Sequence, residues 1–292
     1  MFGKKKAPAN MEELKKMVAS LNLPCTCPDC NPGAYNPQQV CHTHQEIRLD
    51  KDPKSNVSVP VLVPRSYEPM YLVDRTIEYI NRESTQPYQL QKDARQRLRV
   101  LFLETDMMAN LYAKNIKNFV SLKDLQHIFG IFNDLYFFGA MKNVRIEYKN
   151  RVWAAIGPEY TGFADTPSSG RQRSIVKIDP IQHHRLYPRK CGHEVLNTLL
   201  HEALHCFLDQ FKSPRCKDKQ CGFCSKRVEN IGPEGHGRAW QIIAAKLEKA
   251  ILGNWTLGWR LDMGRSTGFL HDLDHKGGQM PSLHDMTAWG FD

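Results

Sequence analysis

Histidines stand at positions 201 and 205, with a glutamate at 202, inside an apolar run from Glu194 to Leu208. On a helix, positions four apart share a face one turn apart, so two imidazoles can reach one metal ion. Glu202 lies beside them, where its carboxylate can take a proton from a water activated by the metal. The chemistry this spacing points to is metal-assisted hydrolysis, most often of a peptide bond. With His201 as the reference direction, Val195, Leu196, Leu199, Leu200, Ala203 and Phe207 fall on the opposite side of the helix. The helix can therefore bury one face while the histidines look into a cleft. The competing reading is a core helix with two satisfied histidines.

Catalytic zinc is usually held by three protein ligands with one position left open. The best third ligand is His236, in the run Gly232-Pro-Glu-Gly-His-Gly237. Flanking glycines let the backbone turn and approach closely. The residues from Ala239 to Ala250 read as a second helix that starts just after His236. Glu229 and Glu234 are weaker candidate ligands, and Glu234 could also favour the helix start. A histidine that merely serves the turn is the competing reading here.

The run Leu199-Leu-His-Glu-Ala-Leu-His, then Gly235-His-Gly, then Trp240, resembles the SprT-like (Spartan-type) zinc metalloprotease family. Phe132-Asn-Asp-Leu-Tyr-Phe-Phe-Gly-Ala-Met resembles that family's opening helix and the short turn after it. Val144-Arg-Ile-Glu-Tyr and Ser174-Ile-Val-Lys-Ile-Asp alternate as strands do. The resemblance covers about 120–265, and the form of the chain is most similar to fungal members. It implies that His201, His205 and His236 hold zinc, that Glu202 is catalytic, and that the substrates are proteins, including proteins crosslinked to DNA. The sequence departs from the family in a long stretch between His205 and His236 that carries Cys216, Cys221 and Cys224. No clear partner-binding or ubiquitin-binding motif stands near the C-terminus.

The other cysteines suggest further metal. Nothing apolar follows the N-terminal Met1-Phe-Gly-Lys-Lys-Lys, so no signal segment is expected and an intracellular location follows. In a reducing compartment, clustered cysteines are read first as metal ligands. Cys27, Cys30, Cys41 and His44 form two close-spaced pairs joined by a loop, as a tetrahedral structural zinc site requires, with Cys25 and His42 as competing ligands. Cys216, Cys221 and Cys224 offer three thiolates for a second structural zinc if Cys206 or Cys191 supplies the fourth. The alternative is a redox-sensitive loop beside the active site.

The elements that must position these groups are mostly helical. A short amphipathic helix is expected over 11–22 and a polar linker or strap with three prolines over 45–66. Helices follow from Tyr67 to the break at Ser84-Thr-Gln-Pro, and over about 90–116 with the basic portion Lys92 to Arg99. Ser121 is a candidate N-cap, with Asp124 at the capping-box position, for a helix reaching about Phe138. Strands are expected near 143–149, 151–156 and 173–179. Asn254 to Asp262 reads as a final strand or extended segment, and the tail from about 265 as weakly structured. The fold class is α+β, a zincin-like metalloprotease domain of helices and a short antiparallel sheet with an N-terminal Cys/His-rich extension. The expected divisions are 1–66, a helical region 67–118, the metalloprotease domain 119–265 and a tail 266–292. An edge strand of the sheet could hold an extended substrate by strand addition.

Forty basic residues against 31 acidic leave a net charge of +9. That excess favours polyanionic partners, and with the resemblance it points to DNA as a partner beside protein substrates, and to the nucleus over the cytoplasm. No run of about 18 apolar residues exists, so no membrane span is expected. Two other classes fit the same residues: a catalytically silent, zinc-stabilised module that binds nucleic acid or protein, and a small-molecule metal hydrolase of the deformylase type. Intact Glu202 argues against the first, and the His236 context with the basic charge against the second.

Overall fold

The computed structural model describes residues 7–27, 29–31, 45–51, 58–111, 120–150, 160–167, 173–187, 190–214, 230–251 and 260–291. The expected strand over 151–156 and most of the expected extended segment after Asn254 lie outside these residues.

Helix α1 (Met11–Leu21) starts where the Asn10 side chain accepts from the Glu13 N–H and ends at Asn22 in a left-handed conformation. The stretch read as a linker instead contains an antiparallel pair, β1 (Arg48–Lys51) and β2 (Ser58–Val61). Its prolines are no obstacle, because a two-stranded pair is all edge. Helix α2 (Pro69–Thr85) has proline in its first turn, and the Glu68 carboxylate accepts from the Met70 and Tyr71 N–H groups. Helix α3 (Gln89–Leu103) is shorter than the expected 90–116. The chain bends after it and resumes as the short α4 (Met107–Leu111). Ser121 caps α5 (Leu122–Tyr136) by accepting from the Asp124 N–H.

Three strands form the second sheet: β3 (Val144–Tyr148), β4 (Gly162–Asp165) and β5 (Ser174–Ile178), in the order β3-β5-β4. The β4–β5 pair is antiparallel, as expected, but β3 pairs parallel to β5. The central β5 alternates buried Ser174, Val176 and Ile178 with half-buried neighbours, and β4 is the outer strand on one side among the described residues. Asp179 then caps α6 (Pro180–Leu186), and α7 (Cys191–Phe211) follows.

Helix α7 runs through the middle of the molecule. Val195, Leu196, Leu199, Leu200, Ala203 and Phe207, the face set opposite His201, are all fully buried. They belong to one core with residues of α2, α3, α5, β3, β5 and α8 (Arg238–Ile251). Helices α2 and α3 of the expected helical region share this core with the strands and α7. The mixture of packed helices and a small sheet is α+β.

The tail departs from expectation. It folds into α9 (Arg265–Asp274) and α10 (Leu283–Ala288). Phe269, Met286, Trp289 and Phe291 are buried with Leu14 and Val18 of α1 in a second, smaller core. The tail's pattern is weak on its own, but α1 and the tail bury their apolar residues jointly. Among the described residues, no helix is long and apolar enough to cross a membrane.

Candidate active site

His201 and His205 leave α7 on the same face, one turn apart, as the i, i+4 spacing requires. His236 reaches them from the turn before α8. Gly235 makes that approach possible: its φ is +92°, and a side chain there would meet His205 Nδ1 at 3.0 Å. The three Nε2 atoms form a triangle with every side 3.1 Å. A zinc–imidazole bond of about 2.0–2.1 Å in tetrahedral geometry places neighbouring nitrogens roughly 3.3 Å apart. The spacing thus fits one small metal ion bound by three imidazoles.

His201 Nδ1 is 2.7 Å from the Met263 carbonyl oxygen, which can only accept, so Nδ1 carries the proton. His236 Nδ1 is 3.3 Å from Asp272 Oδ1, again an acceptor. Both rings are therefore in the tautomer that turns a bare Nε2 lone pair inward. Facing lone pairs at 3.1 Å repel, and a cation between them removes the conflict. Burial, followed by the proximity of His236, pushes the His201 imidazole down to about 3, and burial drives His205 well below its ordinary value. Both rings stay neutral, as metal ligands must.

A supporting shell fixes these partners. The Asp272 carboxylate also accepts from the His236 and Glu234 N–H groups, so one residue of α9 holds the whole turn. Gly268, one turn earlier on α9, lies against the His236 ring; a Cβ there would sit 2.6 Å from its Cδ2. Glu248 of α8 accepts from the Met263 N–H at 2.8 Å and pairs with Arg265 at 2.7 Å, which steadies the carbonyl facing His201. The Trp240 ring packs against all three imidazoles, with centroids 4.7, 5.6 and 4.9 Å from those of His201, His205 and His236.

Glu202 is buried on the sheet side of α7. Burial pushes its carboxyl up to about 8, against a bond from the Ala164 N–H of β4 that pulls it down. A cation held by the imidazoles would oppose this rise and favour the carboxylate. Gly162 allows the strand to come this close, since a Cβ there would meet Thr198 at 2.4 Å and Glu202 Oε1 at 3.2 Å. The buried Glu202 carboxyl thus lies between β4 and α7, the helix that also carries two of the three imidazoles able to hold a metal ion.

Glu234 is not part of the triangle; its carboxylate sits 2.6 Å from His275 Nδ1. Glu229, Cys41, His42, His44, Cys216, Cys221 and Cys224 lie outside the described residues. Cys206 and Cys191, weighed as a fourth ligand for the last three, are both buried. Cys206 accepts from the Thr166 hydroxyl at 3.7 Å, and Cys191 lies 4.0 Å from the Pro180 carbonyl. Among the described residues, Cys25, Cys27 and Cys30 gather with His284. Asp272, Met263, Gly268 and Glu248 escaped the sequence reading. The one signal for the first was the apolar Phe269, Leu270 and Leu273 around it, which carry a helical period.

No family model, curated protein or solved structure matches the chain.

Proposed function

We propose that the protein is a zinc-dependent endopeptidase of SprT-like type, with a zincin-like catalytic domain. One observation carries the reading: three imidazole nitrogens converge at 3.1 Å, and Glu202, next to His201 on the same helix, is buried. His201, His205 and His236 would hold the ion. When bound, zinc supplies Lewis acidity to a substrate carbonyl and to water. Glu202 accepts the proton of the attacking water and passes it to the amine nitrogen as the peptide bond breaks. The Ala164 N–H orients that carboxylate. Strand β4, the outer strand on that side among the described residues, can align an extended peptide by strand addition, which favours flexible protein segments as substrates. The net charge of +9 supports substrates associated with DNA, including crosslinked ones, and nuclear residence.

The test uses purified wild type and Glu202→Gln with an unstructured basic protein, with and without single-stranded DNA, while zinc per chain is measured. Cleavage by wild type alone, with zinc retained in both, is the expected result. Faster cleavage with DNA supports the DNA-linked substrate class; indifference to DNA removes it. Equal cleavage by both proteins overturns the role of Glu202. Bound zinc without cleavage overturns the protease reading in favour of a catalytically silent binding module.

A further inference from the structure

The chain ends meet at a second cluster of metal-binding side chains. Cys25, Cys27 and Cys30 follow α1, and His284 stands in the first turn of α10. Their ligand atoms all lie within 4.8 Å of one another. A tetrahedral zinc with bonds of about 2.3 Å to sulfur sets its ligands roughly 3.8 Å apart, so a small contraction closes the site. All three cysteines are free thiols.

We propose that Cys25, Cys27, Cys30 and His284 bind a structural zinc ion that clamps the N-terminal segment to the C-terminal helix. Three local features support it. The Cys27 N–H points to Cys25 Sγ and the Cys30 N–H to Cys27 Sγ, both at 3.4 Å. Such backbone donors stabilise negative charge on sulfur, and thiolate is the form that binds metal. His284 is set in place by the capping box of α10, in which Ser282 and Asp285 exchange side-chain and backbone bonds. Finally, Arg238 ties the two segments together. Its guanidinium donates to both Asp285 oxygens at 2.8 and 3.2 Å and to the Thr26 hydroxyl at 3.0 Å.

The ligand chemistry selects the metal. Three thiolates and one imidazole suit a borderline-soft ion, and a set of four protein ligands leaves no position for substrate. The site is therefore structural. It closes a loop that spans almost the whole chain, and the small core of Leu14, Val18, Phe269, Met286, Trp289 and Phe291 lies in the same region. Its link to the histidine triangle is short in sequence, because Arg238 follows His236 by two residues. The inference does not depend on proteolysis, since it concerns other residues and another ion.

Full-length protein in which Cys216, Cys221 and Cys224 are replaced by serine, kept under reductant, should bind two zinc equivalents. With cobalt as the probe, the cysteine site should give a near-ultraviolet thiolate charge-transfer band that an all-imidazole site cannot produce. Cys27→Ser and His284→Ala should each lose one equivalent and that band. His284→Cys should keep both, since four thiolates also make a closed zinc site. If His284→Ala keeps the band while Cys41→Ser or His44→Ala abolishes it, the ligands are local in sequence and the clamp is overturned. The serine-substituted parent with no thiolate band, or with a disulfide among Cys25, Cys27 and Cys30, overturns it as well. The same parent with the band but no metal at the histidines would instead sink the protease reading and leave the clamp standing.

Discussion

Asp272 lies 3.3 Å from His236 Nδ1 and accepts the backbone N–H of the same residue at 3.1 Å. One carboxylate thus sets both the tautomer of a candidate metal ligand and the turn that delivers it. Partners of this kind typically contribute 10- to 100-fold in metal affinity, on the order of 1.4–2.7 kcal/mol. Asp272→Ala should weaken zinc binding by about that factor, measured by competition with a chromophoric chelator. An unchanged affinity would show that the turn holds His236 without the carboxylate.

Gly268 tests the tightness of the pocket from another direction. A methyl group there would press on the His236 ring at 2.6 Å. Alanine in place of glycine in a helix should otherwise stabilise by up to about 1 kcal/mol. Gly268→Ala is expected to lower zinc affinity at least tenfold, about 1.4 kcal/mol, while helical circular dichroism stays the same. Full affinity in this variant would mean that the ring has room to move.

Metal removal should destabilise the fold. Three inward nitrogens 3.1 Å apart lose the cation that reconciles them. Binding linkage gives about 4 kcal/mol at a free metal concentration a thousand times Kd. Chelated protein should melt at a lower temperature, and zinc should restore the transition. Magnesium should not, because it prefers oxygen ligands in octahedral geometry. Restoration by magnesium would argue for a different ligand set.

His183 offers a pH test away from either cluster. It is fully buried; its Nδ1–H donates to the Asp179 carbonyl at 2.7 Å, and its Nε2 faces the Thr198 hydroxyl at 2.8 Å. Burial holds its pKa below the ordinary 6.5, although the Asp179 carbonyl and the charge of Glu194 pull the other way. Below pH 6.5 the unfolded chain binds a proton at this residue that the folded chain does not, so stability falls as pH falls. At most one proton, or about 1.4 kcal/mol per pH unit, belongs to this group. His183→Gln should flatten the slope of unfolding free energy between about pH 6.5 and 5 relative to wild type, both saturated with zinc. Parallel slopes would show that His183 titrates normally in the fold.

Several features were legible because their cause is local. The 3.6-residue period of α7 placed His201, Glu202 and His205, and the same period separated the buried face from the histidine face. Ser121 and Asp124 announced the start of α5, since a cap needs only its own four residues. The strand character of 144–148 and 174–178 followed from alternation, but the parallel pairing of β3 with β5 did not, because pairing is decided between segments.

Where the physics is non-local, only the tertiary structure decided. The approach of Asp272, Gly268 and the Met263 carbonyl to the histidines depends on how α9 and the segment before it pack on α7 and α8. The tail is weakly patterned in sequence, and it orders because α1 supplies the other half of its core. His284 joins three cysteines from the opposite end of the chain for the same reason: spacing along a sequence governs which residues share a helix face, and packing governs which faces meet.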